Sequence, residues 1–301
     1  MNKANKKKMA VYLLIALGGG WLLQLAGLFL NYGMYYSIMV TACMFTPLIG
    51  TVIACRGFRF KRTGIYWHVP IKRHFKWFLM ALWMPALMTF IGAILYFCIF
   101  RNQFDSGLGY FISIYNVNGA YDAQAMPAHM LVMIQLVTAV TLAPFMNMVF
   151  ALGEEVGWRG FMTPMLKEWF GCKKAMVLSG IIWAAFHYPL IIFAGYEYGV
   201  GYFGAPATGM VAMILFTFSL GTLLSYSYEK SQSIWVPVLA HGAVNAVAGA
   251  PLYFMKAGTT SYILGPHLPG VISVIPTFIL ALLCIRNMSK KEMYNKAEKY
   301  T

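Results

Sequence analysis

The sequence predicts an all-α integral membrane protein, polytopic, with about eight transmembrane helices. Hydrophobic residues make up 60% of the chain and charged residues 11%, whereas soluble domains contain about 25% charged residues. The mean hydropathy is +0.64, and apolar windows of roughly 18 to 25 residues recur along the chain. Because no segment between them is long enough for a soluble domain, we interpret residues 1–301 as a single membrane domain.

The eight predicted spans follow one another with short connections. The first is interpreted as a retained span rather than a signal peptide, because no clear small-residue cleavage site follows it. The fourth is expected to continue as a helix through the acidic pair at Glu154 and Glu155. The predicted spans cover residues 9–31, 34–55, 77–100, 130–152, 174–194, 208–228, 234–255 and 269–286.

Basic residues lie almost entirely on one side of the predicted bundle. If the N-terminus is inside, 21 of the 23 Lys and Arg residues fall in inside segments, and only Arg101 and Lys256 fall outside. This bias follows the positive-inside rule, so both termini are expected in the cytoplasm of what is interpreted as a bacterial plasma membrane. The net charge of +14 is therefore a topology signal and attracts anionic lipids; we expect membrane lipids as partners, and no nucleic acid.

Five scattered cysteines without a CxxC pair argue against a disulfide framework or a zinc finger. The informative polar residues are instead in spans four to seven. Ionisable side chains inside a span are costly and usually face a polar cavity, so each is a candidate for function. Three clusters stand out: Glu154, Glu155 and Arg159; Trp183 to His187; and His241 to Asn245.

Helical spacing separates the roles of these residues. Glu155 and Arg159 are an i,i+4 pair, whereas Glu154 lies about 100° around the helix and is free for another task. His241 and Asn245 share one helical face, as do Trp183 and His187.

The predicted depths in the membrane place the three clusters near one level. At about 1.5 Å per residue, Glu154 and His187 lie roughly 20 Å from the inner surface and Asn245 roughly 16 Å. We therefore expect one shared cavity that opens to the cytoplasm, with three lysines at its inner rim: Lys167, Lys173 and Lys174.

A carboxylate, two imidazoles and a carboxamide in a wet cavity suit peptide hydrolysis. Glu154 is predicted as the general base for a water held with His187, and His241 and Asn245 as donors to the oxyanion. Glu155, Arg159 and Trp183 are supporting residues. No GxSxG, Ser–Lys, Cys–His or HExxH pattern is present. The alternative is a zinc site with Glu154, His187 and His241 as ligands and Glu155 as the base.

The polar clusters also fit other interpretations. Glu155–Arg159 alone fits a structural ion pair, and Asn245 alone fits a bond between helices. A non-catalytic scaffold or immunity protein would keep the polar cluster for structure. A transporter would use Glu154 as a protonation site but would more often show inverted repeats. Six residues are assigned no role: His68, His74, His129, His267, Glu197 and Glu229; the two glutamates are expected to be solvated.

Three quoted segments, "EEVGWR", "WAAFH" and "HGAVN", occur in this order within residues 130–250, the predicted catalytic core. Their pattern, EExxxR, [F/W]xxxH and HxxxN, resembles the CAAX protease and bacteriocin-processing family of intramembrane glutamic endopeptidases, also called Abi proteins. The resemblance implies an eight-helix fold with a conical, cytoplasm-open chamber and glutamate-based hydrolysis without a cofactor. Carried over by position, Glu154 is the base, His187 holds the water, and His241 and Asn245 stabilise the oxyanion.

The same resemblance bears on substrates. Eukaryotic relatives cleave prenylated CAAX proteins, and bacterial relatives are linked to bacteriocin maturation, self-immunity and peptide-signal processing. It implies a protein or peptide substrate. One departure is Trp183, which stands where Phe is commoner.

Overall fold

A computed structural model describes residues 3–30, 33–56, 64–69, 71–116 and 126–297. In these ranges the chain is mainly helical, and extended pairing is limited to two isolated bridges, Phe104–Met255 and Gly199–Ser261. We number the helices in chain order: α1 Lys3–Phe29, α2 Met34–Ala54, α3 Ile71–Ile99, α4 Gly109–Tyr115, α5 Ala128–Thr141, α6 Ala143–Gly157, α7 Thr163–Phe186, α8 Tyr188–Ala194, α9 Ala207–Ser231, α10 Trp235–Val247 and α11 Ile275–Ala297.

The long apolar helices confirm a multi-pass membrane protein. Within the described ranges, five helical segments are long and apolar enough to cross a membrane. They correspond to α1, α2, the part of α3 from His74 to Ile99, α9, and α10 extended to Phe254. A sixth is reached if α5 and the segment Ala143–Phe186, bent by 52° where they meet, count as one span. The apolar part of α11, Ile275–Ser289, is shorter. The count of eight spans and the cytoplasmic termini stay predictions.

The segment Ala143–Phe186 reverses direction within its length. Gly171 interrupts α7 with φ 73° and ψ 169°, a conformation that favours glycine. Thr163 and Ser179 lie 16 residues apart, yet their hydroxyl oxygens are 3.0 Å apart. A straight helix would separate them by about 24 Å. The chain therefore turns back at Gly171, as the separate predicted spans 130–152 and 174–194 require.

The helices divide the molecule into two ends, which we call the basic end and the loop end. At the basic end, residues 64–69 meet residues 228–235 through hydrogen bonds from Ile234 to Tyr66 and from Trp235 to Trp67, and Lys167 pairs with Glu229. The loop end holds residues 100–108, 195–206 and 255–274. There Val200 donates a hydrogen bond to the carbonyl of Thr260.

Small residues let the helices around the centre approach closely, as is usual in membrane bundles. A Cβ at Gly157 on α6 would lie 2.4 Å from a side-chain atom of Pro47 on α2, and one at Gly242 on α10 would lie 2.5 Å from the carbonyl oxygen of Pro144. Gly221 on α9 leaves room for Arg159, whose Nη2 lies 3.0 Å from the position of a Cβ. These contacts bring α2, α6 and α10 together and place Arg159 against α9.

Candidate active site

A cavity of about 330 Å³ lies among α1, α2, α6, α7, α9 and α10. Its wall contains all four residues that the sequence predicts as catalytic: Glu154, His187, His241 and Asn245. The rest of the wall is mainly apolar, with a few polar side chains. Residues that are distant in the sequence therefore line one cavity.

Glu154 is buried, with 3% of its surface exposed, and two indole groups fix its carboxylate. Its Oε2 accepts hydrogen bonds from Trp158 Nε1 at 2.9 Å and from Trp183 Nε1 at 2.7 Å. Since an indole N–H can only donate, both bonds require an accepting oxygen, as in a carboxylate. Oε1 takes part in neither bond and is the oxygen available to a water molecule.

Glu155 points to a different set of partners, as the helical spacing predicts. Its Oε1 accepts a hydrogen bond from Arg159 Nη1 at 2.9 Å and lies 2.8 Å from His241 Nδ1. The guanidinium carbon of Arg159 lies 4.1 Å from the ring centre of Trp183. Both charged residues are almost completely buried. The i,i+4 pair is thus present, and it continues to His241 on α10.

The contact with Glu155 fixes the proton position on His241. A carboxylate that already accepts a bond from Arg159 can only accept from His241 as well, so Nδ1 carries a hydrogen. A neutral ring would then present a lone pair at Nε2, and only an imidazolium has a second N–H there. This bond could not be predicted from helical spacing, because it joins residues 86 positions apart.

His187 sits at the junction of α7 and α8 and is half-buried. Its Nδ1 lies 2.9 Å from the carbonyl oxygen of Trp183. Because a carbonyl only accepts, Nδ1 carries the hydrogen and Nε2 keeps a lone pair. The ring of Tyr196 stacks on the imidazole, with centres 5.9 Å apart and an angle of 4° between the planes. This arrangement leaves Nε2 able to accept a hydrogen bond from water.

Asn245 lies one helical turn after His241 and is exposed, although it is on a helix in the middle of the bundle. It lines the cavity. Trp183 was expected beside His187, and their ring centres are 6.2 Å apart. Its indole N–H, however, is directed to Glu154.

Several residues in the cavity wall or bonded to the catalytic residues were missed from sequence. Trp158 is four positions after Glu154, so its bond follows the same i,i+4 rule that identified the Glu155–Arg159 pair. Gln24 and Tyr196 line the cavity. No spacing signal could have found them, because they come from α1 and from the segment after α8.

The expectation that Glu197 is simply solvated is wrong. Its side chain is 27% exposed, lines the cavity, and has a left-handed backbone with φ 64°. The imidazole Nε2 of His267 lies 3.6 Å from its carboxylate. Burial raises the pKa of Glu197 and lowers the pKa of His267 to about 4, so His267 is neutral near pH 7. Glu229, by contrast, pairs with Lys167 at the basic end.

The cavity lies towards the loop end, which corrects the expectation of an opening past Lys167, Lys173 and Lys174. None of these lysines lines it, and its wall continues from Glu154 to Tyr196, Glu197, Gly249 and Pro269. The helix ends on this side are near: His187 is seven residues before Ala194, or roughly 10 Å by helical rise.

The zinc alternative can be compared with the arrangement of its donors. Glu154 Oε1 and the Nε2 atoms of His187 and His241 are the donors that would be left for a metal, because Glu154 Oε2 is bonded to two indoles and both Nδ1 atoms have partners of their own. In the part of the chain that the structure describes, which includes all three zinc candidates, no three His, Cys, Asp or Glu side chains form a group that could hold one metal ion. As arranged, Glu154, His187 and His241 therefore do not form a zinc site.

Two comparisons with known proteins bear on this site. Residues 131–247 match the family model described as type II CAAX prenyl endopeptidase Rce1-like. The chain is also similar to CAAX prenyl protease 2 of Methanococcus maripaludis, with 28% identity over 102 residues. This match covers 34% of the chain and 37% of the length of that protein. The family-model match includes the helices that carry the three motifs.

Proposed function

We propose that this chain, whose segment 131–247 belongs to the CAAX protease and bacteriocin-processing family, is an intramembrane endopeptidase. It hydrolyses peptide bonds of membrane-associated proteins or peptides with a water molecule activated by Glu154. No metal or organic cofactor is required in this proposal. The family match supports the reaction class, and the arrangement of the cavity supports the assignment of roles.

One observation carries the proposal: a buried carboxylate is fixed by two indoles on the wall of the same cavity as an imidazole with an available lone pair. Structural ion pairs usually bond both partners to each other. Here the nearby cation, Arg159, is bonded to Glu155. Oε1 of Glu154 has no partner of opposite charge. A positioned carboxylate of this kind suits a general base better than a structural link.

The proposed reaction has two proton transfers and no covalent intermediate with the enzyme. A water molecule donates a hydrogen bond to His187 Nε2, which orients it. It loses its other proton to Glu154 Oε1, while its oxygen forms a bond to the peptide carbonyl carbon. The carbonyl oxygen becomes an oxyanion. As the C–N bond breaks, Glu154 returns the proton to the leaving nitrogen, which gives an acid and an amine.

His241 and Asn245 are assigned to the oxyanion. Asn245 donates from its amide group, and His241 donates from Nε2. Because Nδ1 already donates to Glu155, the donor role requires the imidazolium form of His241. Glu155 then balances this positive charge, and Arg159 holds Glu155 in place. Glu155 is thus a positioning residue, and its partner His241 belongs to the catalytic group.

Comparison of cellular peptide termini in wild type and Glu154→Gln tests the function. We expect that a set of termini, produced by cleavage of membrane-associated and secreted peptides in wild type, is missing in the variant, because a carboxamide cannot accept the proton. Glu168→Gln is the matched control, since Glu168 is an exposed acid at the basic end, away from the cavity. The proposal fails if both variants, expressed at equal levels, keep the wild-type termini.

The same experiment separates the other candidates. A scaffold or immunity protein would leave the termini unchanged while a cellular phenotype survives in Glu154→Gln and His187→Ala. If the protein is a zinc enzyme, the termini are also missing in Glu154→Gln and His187→Ala. The purified wild type would then lose its activity with a chelator and regain it with zinc.

A further inference from the structure

We infer that the active-site cavity is entered from the extracytoplasmic face of the membrane, and that its substrates are peptide segments of exported or membrane-inserted polypeptides on that side. The assignment of the face follows from charge and packing alone. The substrate class rests in addition on the proposed function.

The path from Glu154 to the basic end is closed by packed side chains. One and two turns beyond Glu154, Trp158 and Met162 are completely buried. Tyr12 packs against Trp158 and Phe161, with ring centres 5.9 and 4.9 Å away, and Phe186 packs against Trp158 at 5.7 Å. This aromatic floor excludes a peptide from the cytoplasmic direction predicted from sequence.

The opposite side of the cavity is accessible. Asn245 and Gly249 are exposed wall residues, and both lie on the part of the chain that leads from α10 to the loop end. Glu197, from the segment after α8, is partly exposed on the same wall. A Cβ at Gly249 would meet no atom within 4 Å, so there is open space in front of this residue. The accessible side is therefore the loop end.

The charge distribution assigns the loop end to the outside. Of the 23 Lys and Arg residues, only Arg101 and Lys256 belong to the connections at the loop end. Basic connections stay in the cytoplasm, because the bias of Lys and Arg sets the orientation of the whole bundle. A cavity that opens at the loop end is thus an extracytoplasmic cavity.

The wall chemistry defines what enters. Apolar side chains dominate around the catalytic group, among them Val40, Leu190 and Phe216, and they suit apolar residues on both sides of the cleaved bond. Glu197 is the acidic residue of the wall nearest the loop end. A substrate that reaches these residues has already crossed or entered the membrane, so the reaction follows export or membrane insertion of the polypeptide.

Thiol labelling in intact cells tests the orientation. The five native cysteines are changed to serine, and single cysteines are introduced as Gly249→Cys at the cavity, Phe203→Cys at the loop end and Glu168→Cys at the basic end. Phe203 is 96% exposed, and Glu168 is also exposed. A membrane-impermeant maleimide is expected to label Gly249→Cys and Phe203→Cys in intact cells, and Glu168→Cys only after permeabilisation.

The opposite pattern, with Glu168→Cys labelled in intact cells and the other two only after permeabilisation, would overturn the inference. So would labelling of Phe203→Cys and Glu168→Cys as expected while Gly249→Cys reacts only after permeabilisation, because the cavity would then face inwards. The Phe203 and Glu168 variants also report whether the cysteine-free protein is inserted correctly.

The positions of the cut sites test the substrate class. Termini that depend on Glu154 are expected in extracytoplasmic segments, or in the outer halves of spans, of exported and membrane proteins. Cut sites in cytoplasmic segments would overturn the substrate class and leave the proposed function standing. If no terminus depends on Glu154, the proposed function and the substrate class both fail, while the labelling result still decides the orientation.

Discussion

At the residue scale, the account depends on how two adjacent carboxylates acquire different tasks. Glu154 is bonded to Trp158 and Trp183, whereas Glu155 is bonded to Arg159 and His241. The 100° step of the helix separates the two side chains, and burial makes each depend on its own donors. The pair thus consists of one positioned carboxylate, Glu154, and one carboxylate, Glu155, that links α6 to α10 through His241.

Removal of an oxyanion donor is a direct test at this scale. Asn245→Ala is expected to lower kcat about 10²- to 10³-fold, because the lost donor acts on charge that develops in the transition state. KM is expected to change little. The measurement is steady-state cleavage of a peptide that covers a cut site found by the comparison of termini.

The matched control is Asn147→Ala. Asn147 lies on α6, donates its hydrogen bond to the carbonyl of Ala143 and does not line the cavity. It should keep kcat near the wild-type value. Equal losses in the two variants, or a rise in KM alone for Asn245→Ala, would contradict the oxyanion assignment.

Residue types and helical spacing predicted several of the contacts at the residue scale. The EExxxR spacing indicated the Glu155–Arg159 bond, and the HxxxN spacing indicated the shared face of His241 and Asn245. The Glu155–His241 bond and the stacking of Tyr196 on His187 could not be predicted, since they depend on how separate helices dock.

At the element scale, close packing of α6 on α2 holds the acidic pair in position. Gly153 and Gly157 face the turn of α2 at residues 44–47, where an added Cβ would lie 2.6 Å from the carbonyl oxygen of Met44 or 2.4 Å from Pro47. Backbone atoms and a proline ring cannot move aside as a flexible side chain would. The position of Glu154 therefore depends on these glycines.

Gly157→Ala is expected to destabilise the protein by about 1 to 3 kcal/mol, since it forces α6 and α2 apart. The measurement is the apparent Tm of the purified protein in detergent. Gly249→Ala is the control, because its Cβ would meet no atom within 4 Å. If the two variants unfold at the same temperature, the contact between α6 and α2 does not hold the site as described.

Most elements were predictable because apolar length is a strong signal. The spans expected at 34–55, 208–228 and 234–255 correspond closely to Met34–Ala54, Ala207–Ser231 and Trp235–Phe254. The continuation of the fourth span through Glu154 is also present, but as α6 followed by a π-helical turn at Trp158–Met162. The sharp reversal at Gly171 was not predicted in detail, because a glycine alone does not specify a turn.

At the scale of the whole molecule, the sequence predicts how the protein is oriented in the membrane, and the structure shows at which end the cavity opens. The distribution of Lys and Arg predicts which end is cytoplasmic, but it does not indicate which end is open. Helical rise placed the catalytic residues near one level, at a similar distance from both ends. The open end is decided by the aromatic floor of Tyr12, Trp158, Phe161 and Phe186, whose packing has no signal in spacing or charge.

The central claim is that the carboxylate of Glu154 activates the hydrolytic water. Its most direct test is cleavage, by purified protein treated with a chelator, of a peptide that covers an identified cut site. We expect chelated wild type to stay active and Glu154→Gln to be slower by about 10²- to 10⁴-fold, the usual contribution of general acid–base catalysis. Wild-type activity that disappears with the chelator and returns with zinc, or a Glu154→Gln variant as fast as wild type, would contradict the claim.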